Sequence, residues 1–140
     1  MVDRDRVGEL LVAAEASLDD VRRFAAEVGR EGFLAERGEQ YRIEFPLQQT
    51  IQIAIDLAAH LLADTPGHRP GTLAGLFDAL GERGMLTPEL ASQLAAMARF
   101  RNLLVHWYAE LDPVSVWDLV TTNLNDVDAF LAVAAAELET

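Results

Sequence analysis

The chain has 140 residues and a formal net charge of −12, with 51% hydrophobic residues and no cysteine. This length predicts a single domain over residues 1–140 with a proper core, and the lack of cysteine excludes disulfides, thiolate metal sites and a cysteine nucleophile. The acidic charge disfavours strong non-specific binding to nucleic acid, which depends on many cations that neutralise phosphates.

The N-terminal segment carries acidic residues before a short apolar run and has no small-residue cleavage site, so we do not expect a secretory signal. The apolar run IQIAIDLAAHLLAD is interrupted by Gln52, Asp56 and His60 and does not reach the roughly 18 residues of a membrane span. The sequence therefore predicts a soluble cytoplasmic protein without a membrane contact.

The first predicted helix runs from about Arg4 to Val28, because apolar residues recur there at spacings of three and four. Gly29 and Gly32 weaken the helix, and REGFLAERGEQ is predicted as a break with a short helical turn.

A second helix is predicted from Tyr41 to Leu62, with apolar residues recurring along it. Pro46 lacks a backbone N–H, so this helix either starts near Pro46 or is kinked there. The following ADTPGHRPG segment, with two Pro and two Gly, is the clearest loop.

A short third helix is predicted next. Thr72 can cap it, it extends through Leu80, and Gly81 or Gly84 can end it.

Two longer helices complete the chain. Thr87 and Pro88 supply the cap and first position of a fourth helix that extends to near Ala109. Asp112 and Pro113 begin the last helix in the same way. The predicted fold is all-α, an up-and-down bundle of four long helices and one short helix.

The fourth helix carries a concentration of polar residues in the stretch FRNLLVHWY, residues 100–108. At ~100° per residue, four apolar side chains share one arc, which we predict to be the core face: Phe100, Leu103, Leu104 and Trp107. The opposite arc holds Arg101, Asn102, Val105, His106 and Tyr108. The stretch is thus predicted to place a polar surface on an anchored helix.

Two interpretations of this surface are open. Arg101 and Asn102 could be ordinary solvated residues, with His106 and Tyr108 covering a helix end. Alternatively, a histidine exchanges protons near neutral pH, and an arginine holds a phosphate by two hydrogen bonds and balances charge in a phosphoryl transition state. Such a pair suits RNA cleavage in which the ribose 2′-hydroxyl attacks the adjacent phosphate, without a metal.

Arg101 and His106 lie about 7.5 Å apart along the helix axis and ~140° apart around it, so one helix does not direct both to one atom. A second copy around a two-fold axis would duplicate the motif and let the paired copies line one cleft. An exposed Val105 would suit such a dimer contact.

The stretch RNLLVHWY has the form Arg-x-x-x-x-His-x-Tyr on the penultimate helix of a small α bundle. In this respect the chain resembles the HEPN superfamily, specifically the HepT-like ribonuclease toxins. The segment YRIEFPLQQTIQIAIDLAAHLLAD is similar to the second helix of that family, and the Asp-Pro start of the last helix also matches. The resemblance covers most of the chain.

The resemblance implies a homodimeric, metal-independent endoribonuclease toxin that cleaves tRNA or mRNA and needs no cofactor. By position, Arg101 and His106 would be catalytic and Asn102 would support the site. Tyr108 would be the residue that a cognate nucleotidyltransferase antitoxin, encoded by a neighbouring gene, modifies with AMP.

Two features of the chain differ from the pattern that the resemblance implies. The acidic net charge and Pro46 depart from what the resemblance leads us to expect. A non-catalytic helical module that binds a nucleotide or a partner protein is the alternative. No His or carboxylate cluster has metal-ligand spacing, so no metal site is predicted, and a phosphate-binding glycine loop is also missing.

Overall fold

A computed structural model describes residues 3–63, 70–106 and 110–139. All regular structure in these ranges is helical, which confirms the predicted all-α class. The helices are α1 (Arg4–Ala35), α2 (Arg37–Leu61), α3 (Leu73–Glu82), α4 (Pro88–His106), α5 (Pro113–Asp118) and α6 (Leu124–Leu138). A π-helical turn, Leu119–Asn123, joins α5 to α6 with helical backbone angles on both sides, so the two form one long last helix. The expected four long helices and one short helix are present.

The three predicted helix caps are confirmed. The side chains of Thr72, Thr87 and Asp112 each accept a hydrogen bond from a backbone N–H in the first turn that follows, at 3.0, 3.1 and 3.1 Å. These bonds satisfy N–H groups that have no partner within the helix itself. Gly84, with a φ of +79°, follows the end of α3. Local sequence therefore sets where α3, α4 and α5 begin.

The boundary between the first two helices differs from the prediction. Gly29 alone leaves helical geometry, with φ 72° and ψ 166°, and the helix then resumes to Ala35. The second helix already begins at Arg37, four residues before the predicted Tyr41. Gln40 donates from Nε2 to the carbonyl oxygens of residues 33 and 34 at 2.9 and 3.3 Å, so the end of α1 is hydrogen-bonded to the start of α2. The expected long break is reduced to two short irregularities.

Pro46 lies inside α2 rather than at its start, and its side chain is buried. The Thr50 hydroxyl lies 2.9 Å from the Pro46 carbonyl oxygen and 2.8 Å from the hydroxyl of Ser17 on α1. Ser17 in turn donates to the carbonyl of Ala14 at 3.1 Å. This buried polar pair joins α1 to α2 at the level of the proline.

The helices pack around one apolar core. The most extensive contacts join α1 to α2 and α3 to α4, and α2 also contacts α3, α4 and α6. Apolar residues that recur along the last helix are buried in this core: Val116, Leu119, Val120, Leu124, Val127 and Leu131. Across the core, the rings of Phe77 and Phe130 meet edge to face with centroids 5.3 Å apart. No helix in the described ranges is long and apolar enough to cross a membrane.

Candidate functional site

The fourth helix is held firmly before it reaches the polar stretch. It packs against α2, α3 and α6. Its closest approach to α3 is at Gly81, where an added Cβ atom would lie only 2.7 Å from the Cβ of Ala91. The last two turns of α4 therefore project from a fixed support, and these turns carry Arg101, Asn102 and His106.

The predicted core face of this helix is confirmed only in part. Leu104 is buried and Phe100 packs, partly buried, against the core, while Trp107 lies outside the described residues. Leu103 is 41% exposed, whereas the buried residues of α4 are Ala91, Leu94, Ala95, Met97, Ala98 and Leu104. Leu94, Met97, Ala98 and Leu104 lie within ~60° of Arg101 around the helix, and Leu103 lies ~160° from it. The stretch FRNLLVHWY does not include the earlier turns of α4, which bury Ala91, Leu94, Ala95, Met97 and Ala98. Arg101 consequently leaves the helix on its buried side.

Arg101 is not an ordinary solvated residue. Its side chain is only partly exposed, and its Nε atom is buried without a hydrogen-bond partner among the described residues. A buried donor of a charged group that lacks a partner carries a desolvation cost, and such groups are normally paired. The Nε donor of Arg101 is therefore not satisfied by the described residues.

Asn102 and His106 are exposed, and Val105, which was expected to be exposed, is half-buried. Asn102 lies with Arg99 along a groove of about 440 Å³ between α4 and the start of α3. His106 is the last described residue of α4. Tyr108 lies outside the described residues. The structure thus brings Arg101, Asn102 and His106 to one end of the bundle. Asn102 and His106 leave the helix only ~40° apart, but Arg101 points ~100° and ~140° away from them.

A second polar feature, a cleft beside Glu44, was not predicted from the sequence. A cleft of about 300 Å³ lies between the first half of α2 and the start of α5, and its lining includes Tyr41, Glu44 and Leu111. Burial raises the pKa of the Glu44 carboxyl to about 6. Its Oε2 atom is buried and has no hydrogen-bond partner in the part of the chain that the structure describes. The only sequence signal was a carboxylate between Ile43 and Phe45 in the run RIEFPL.

The described residues contain no group of three or more His, Cys, Asp or Glu side chains placed to hold a metal ion. Two features of the described residues remain as candidate functional sites: the end of α4 with Arg101 and the cleft with Glu44.

Comparison with known proteins decides the family. The family model described as ribonuclease HepT-like matches residues 14–134. The chain belongs to the HepT-like ribonuclease family. Membership confirms the resemblance drawn from the motif and supports the prediction of an endoribonuclease.

Two characterised relatives of this HepT-like chain are similar over most of their length. The tRNA nuclease HepT of Aphanizomenon flos-aquae is 32% identical over 114 residues, which cover 81% of this chain and 77% of the relative. The mRNA nuclease HepT of Shewanella oneidensis is 29% identical over 108 residues, which cover 71% of this chain and 81% of the relative. The two relatives carry the names of nucleases for different RNAs.

The fold of the HepT-like chain also matches a solved toxin structure. The tri-AMPylated HEPN toxin of Shewanella oneidensis, in complex with its MNT antitoxin, aligns with a TM-score of 0.85 at 23% identity over 97% of this chain and 99% of the toxin. This similarity confirms the helical bundle. The roles of Arg101, Asn102, His106 and Tyr108, and the two-fold dimer, stay predictions.

Proposed function

We propose that this chain is a metal-independent endoribonuclease toxin in which Arg101 and His106 act on a phosphodiester of RNA and Asn102 supports them. The observation that carries the proposal is the partly buried Arg101 guanidinium, whose Nε lacks a protein partner among the described residues of a HepT-like bundle. Its remaining donors can hold two oxygens of a phosphate in the planar geometry that guanidinium favours.

The reaction requires one bond to form and one to break. The ribose 2′-oxygen attacks the adjacent phosphorus, its proton passes to the imidazole of His106, and the bond from phosphorus to the 5′-oxygen of the next nucleotide breaks. The products are a 2′,3′-cyclic phosphate and a 5′-hydroxyl, which takes up a proton. Arg101 stabilises the extra negative charge on the phosphoryl oxygens as the new bond forms.

Arg101 and His106 of one chain do not point toward the same phosphodiester, and we propose that a second copy completes the site. The side chains of Arg101 and His106 leave α4 ~140° apart. A homodimer with the two α4 ends facing each other would supply two histidines to one cleft, one to remove a proton and one to donate a proton.

We propose that a cognate nucleotidyltransferase antitoxin restrains the toxin by transferring AMP to Tyr108. The modification adds phosphate charge and an adenosine two residues after His106, where both would repel and block an RNA backbone. The AMPylated toxin of the solved complex supports this partner class. Intact mass of the chain co-expressed with its neighbouring nucleotidyltransferase tests this step, because an unchanged mass, or AMP mapped to another residue, would contradict it.

The decisive experiment compares growth arrest and cleavage of tRNA and mRNA, with a chelator present, for the wild type and for the Arg101→Ala and His106→Ala variants. We expect the wild type to be toxic and active and each variant to lose at least a hundredfold in cleavage rate, since each lacks a group that acts in the transition state. Arg30→Ala, which removes the same charge from an exposed position on α1, is the control and should stay active. Equal harmlessness of all four folded proteins would sink the nuclease proposal and favour a non-catalytic binding module.

A further inference from the structure

The cleft beside Glu44 has no role in the cleavage chemistry, yet it lies close in sequence to the helix end that carries it. Leu111 and Pro113 form part of its wall and follow His106 by five and seven residues. The opposite wall comes from Arg37, Tyr41 and Glu44 of α2. One wall of the cleft therefore begins within a few residues of the helix end that carries the motif.

The size and lining of the cleft restrict its ligand. About 300 Å³ lies at the lower end of the volumes found for small-molecule sites, which suits one nucleotide rather than a larger ligand. Tyr41 is 49% exposed at the cleft and offers an aromatic ring on which an unstacked base can lie. Arg37 supplies a cation for the attached phosphate.

Glu44 determines which edge of a base would fit. Its Oε2 accepts no hydrogen bond from the described residues, and a buried acceptor normally has a donor partner. Gln40, which also lines the cleft, already uses Nε2 to bind two backbone carbonyl groups, so its amide donors are engaged elsewhere. Beside the Arg37 cation, the Glu44 side of the cleft thus offers an acceptor, which favours a ligand that places donors there.

We infer that this cleft binds a guanine base of the RNA substrate, with the Glu44 carboxylate accepting hydrogen bonds from the guanine N1–H and N2 amino groups and Tyr41 stacking on the ring. Guanine is the one standard base whose Watson–Crick edge carries two adjacent donors that match the two oxygens of a carboxylate. Adenine and cytosine each offer one amino donor next to a ring nitrogen acceptor, which would face a carboxylate oxygen. The inference rests on the proposed function and adds a base preference to it.

Recognition through a neutral base edge also suits an acidic protein. With a net charge of −12, the chain gains little from general attraction to phosphates. A hydrogen-bonded pocket for one base would select the cleavage position without a basic surface.

The test measures binding of guanosine, inosine and adenosine 5′-monophosphates to the wild-type protein by calorimetry. These probes contain no internucleotide bond, so binding is measured apart from cleavage. Inosine keeps N1–H but lacks the N2 amino group, and adenosine lacks N1–H as well. We expect the guanosine nucleotide to bind at least tenfold more tightly than either of the other two. Two parallel hydrogen bonds to one base edge discriminate against the wrong base by about tenfold or more in affinity.

Glu44→Gln should remove the preference for guanosine, whereas Glu31→Gln, which removes a charge from an exposed position outside the cleft, should retain it. Tyr41→Ala should weaken the binding of all three nucleotides by a similar factor. This variant tests the cleft independently if Glu44→Gln does not fold. Equal binding of the three probes, a preference for adenosine, or a guanosine preference that survives in a folded Glu44→Gln protein would each overturn the inference. If the wild type cleaves RNA through Arg101 and His106 but shows no guanosine preference, the guanine pocket fails while the proposed function stands.

Discussion

At the scale of single residues, the informative side chains are two of the three charged groups that have a buried atom without a hydrogen-bond partner among the described residues. The third, Glu39, forms an ion pair with Arg42. Arg101 has an unpaired Nε and Glu44 an unpaired Oε2 among the described residues. Folding pays a desolvation cost for each of them that a well-paired surface residue would not carry. Groups of this kind concentrate at sites that bind a ligand, because the ligand supplies the missing partner.

The raised pKa of Glu44 predicts a specific pH dependence of stability. The pKa is about 6 in the folded chain and 4.5 for the free side chain, so the folded state binds more protons between these values. Stability therefore falls as pH rises from about 4.5 to about 6, and the loss is complete above that range. Because the residue is only half-buried, we discount the full shift to about 1 kcal/mol.

Urea denaturation of the wild type and the Glu44→Gln variant at pH 4.5 and pH 7.5 measures this contribution. The neutral variant should be more stable than the wild type at pH 7.5 by about 1 kcal/mol, and the difference should shrink at pH 4.5. A variant that is less stable than the wild type at pH 7.5 would show that the Glu44 carboxylate is well partnered in the protein.

At the scale of elements, the helix starts could be predicted because the deciding interactions lie within a few residues. Thr72, Thr87 and Asp112 each bond to the turn that follows, and nothing distant is needed. The face that α4 buries could be predicted only in part from its polar stretch, since Leu104 is buried but Leu103 is exposed. The neighbours of α4 on α2, α3 and α6 determine that face. Glu44 was missed for the same reason, since its cleft is closed by residues about seventy positions away in the chain.

The contact between α3 and α4 provides a prediction at this scale. Gly81 packs so closely on Ala91 that an added methyl group would lie 2.7 Å from the neighbouring Cβ, and a Cβ atom cannot rotate away. Gly81→Ala should therefore destabilise the fold by about 1–3 kcal/mol, as overpacking generally does. Separation of the two helices would also shift the end of α4, so cleavage should fall as well.

Gly38→Ala is the matched control for that experiment. Gly38 lies in α2 with open space around the position of an added Cβ, so alanine should be neutral or stabilising by up to about 1 kcal/mol. Denaturation midpoints of the two variants give the comparison. Equal stability of both variants would mean that α3 and α4 can separate slightly at no cost.

At the scale of the whole molecule, the fold places both candidate features near connections between helices. The core beneath them holds the helices in fixed positions. The buried Ser17 and Thr50 pair fixes α1 against α2, and Phe77 and Phe130 join the third helix to the last. The motif could be recognised in the sequence because its residues fall within eight positions of one another. The proposed site needs a second copy, and no pattern within one chain describes how that copy would bind.

The exposed Leu103 indicates where that second copy would bind. Leu103 faces away from its own bundle, is 41% exposed, and lies one turn before His106, ~60° from it around the helix. An apolar residue beside the motif is suited to the centre of a dimer contact that brings two motifs together. Leu103→Asp should place a charge in that contact, weaken self-association at least tenfold and lower RNA cleavage in parallel, without lowering the melting temperature.

Sedimentation equilibrium and cleavage assays over the same concentration range measure both effects. Val12→Asp is the control, because Val12 is a 70% exposed apolar residue on α1, and its substitution should leave association and cleavage unchanged. A wild-type protein that cleaves RNA at full rate while monomeric would contradict the composite site. Undisturbed dimers of Leu103→Asp would show that the two copies meet on another face, and that Arg101 and His106 must converge by some route other than this contact.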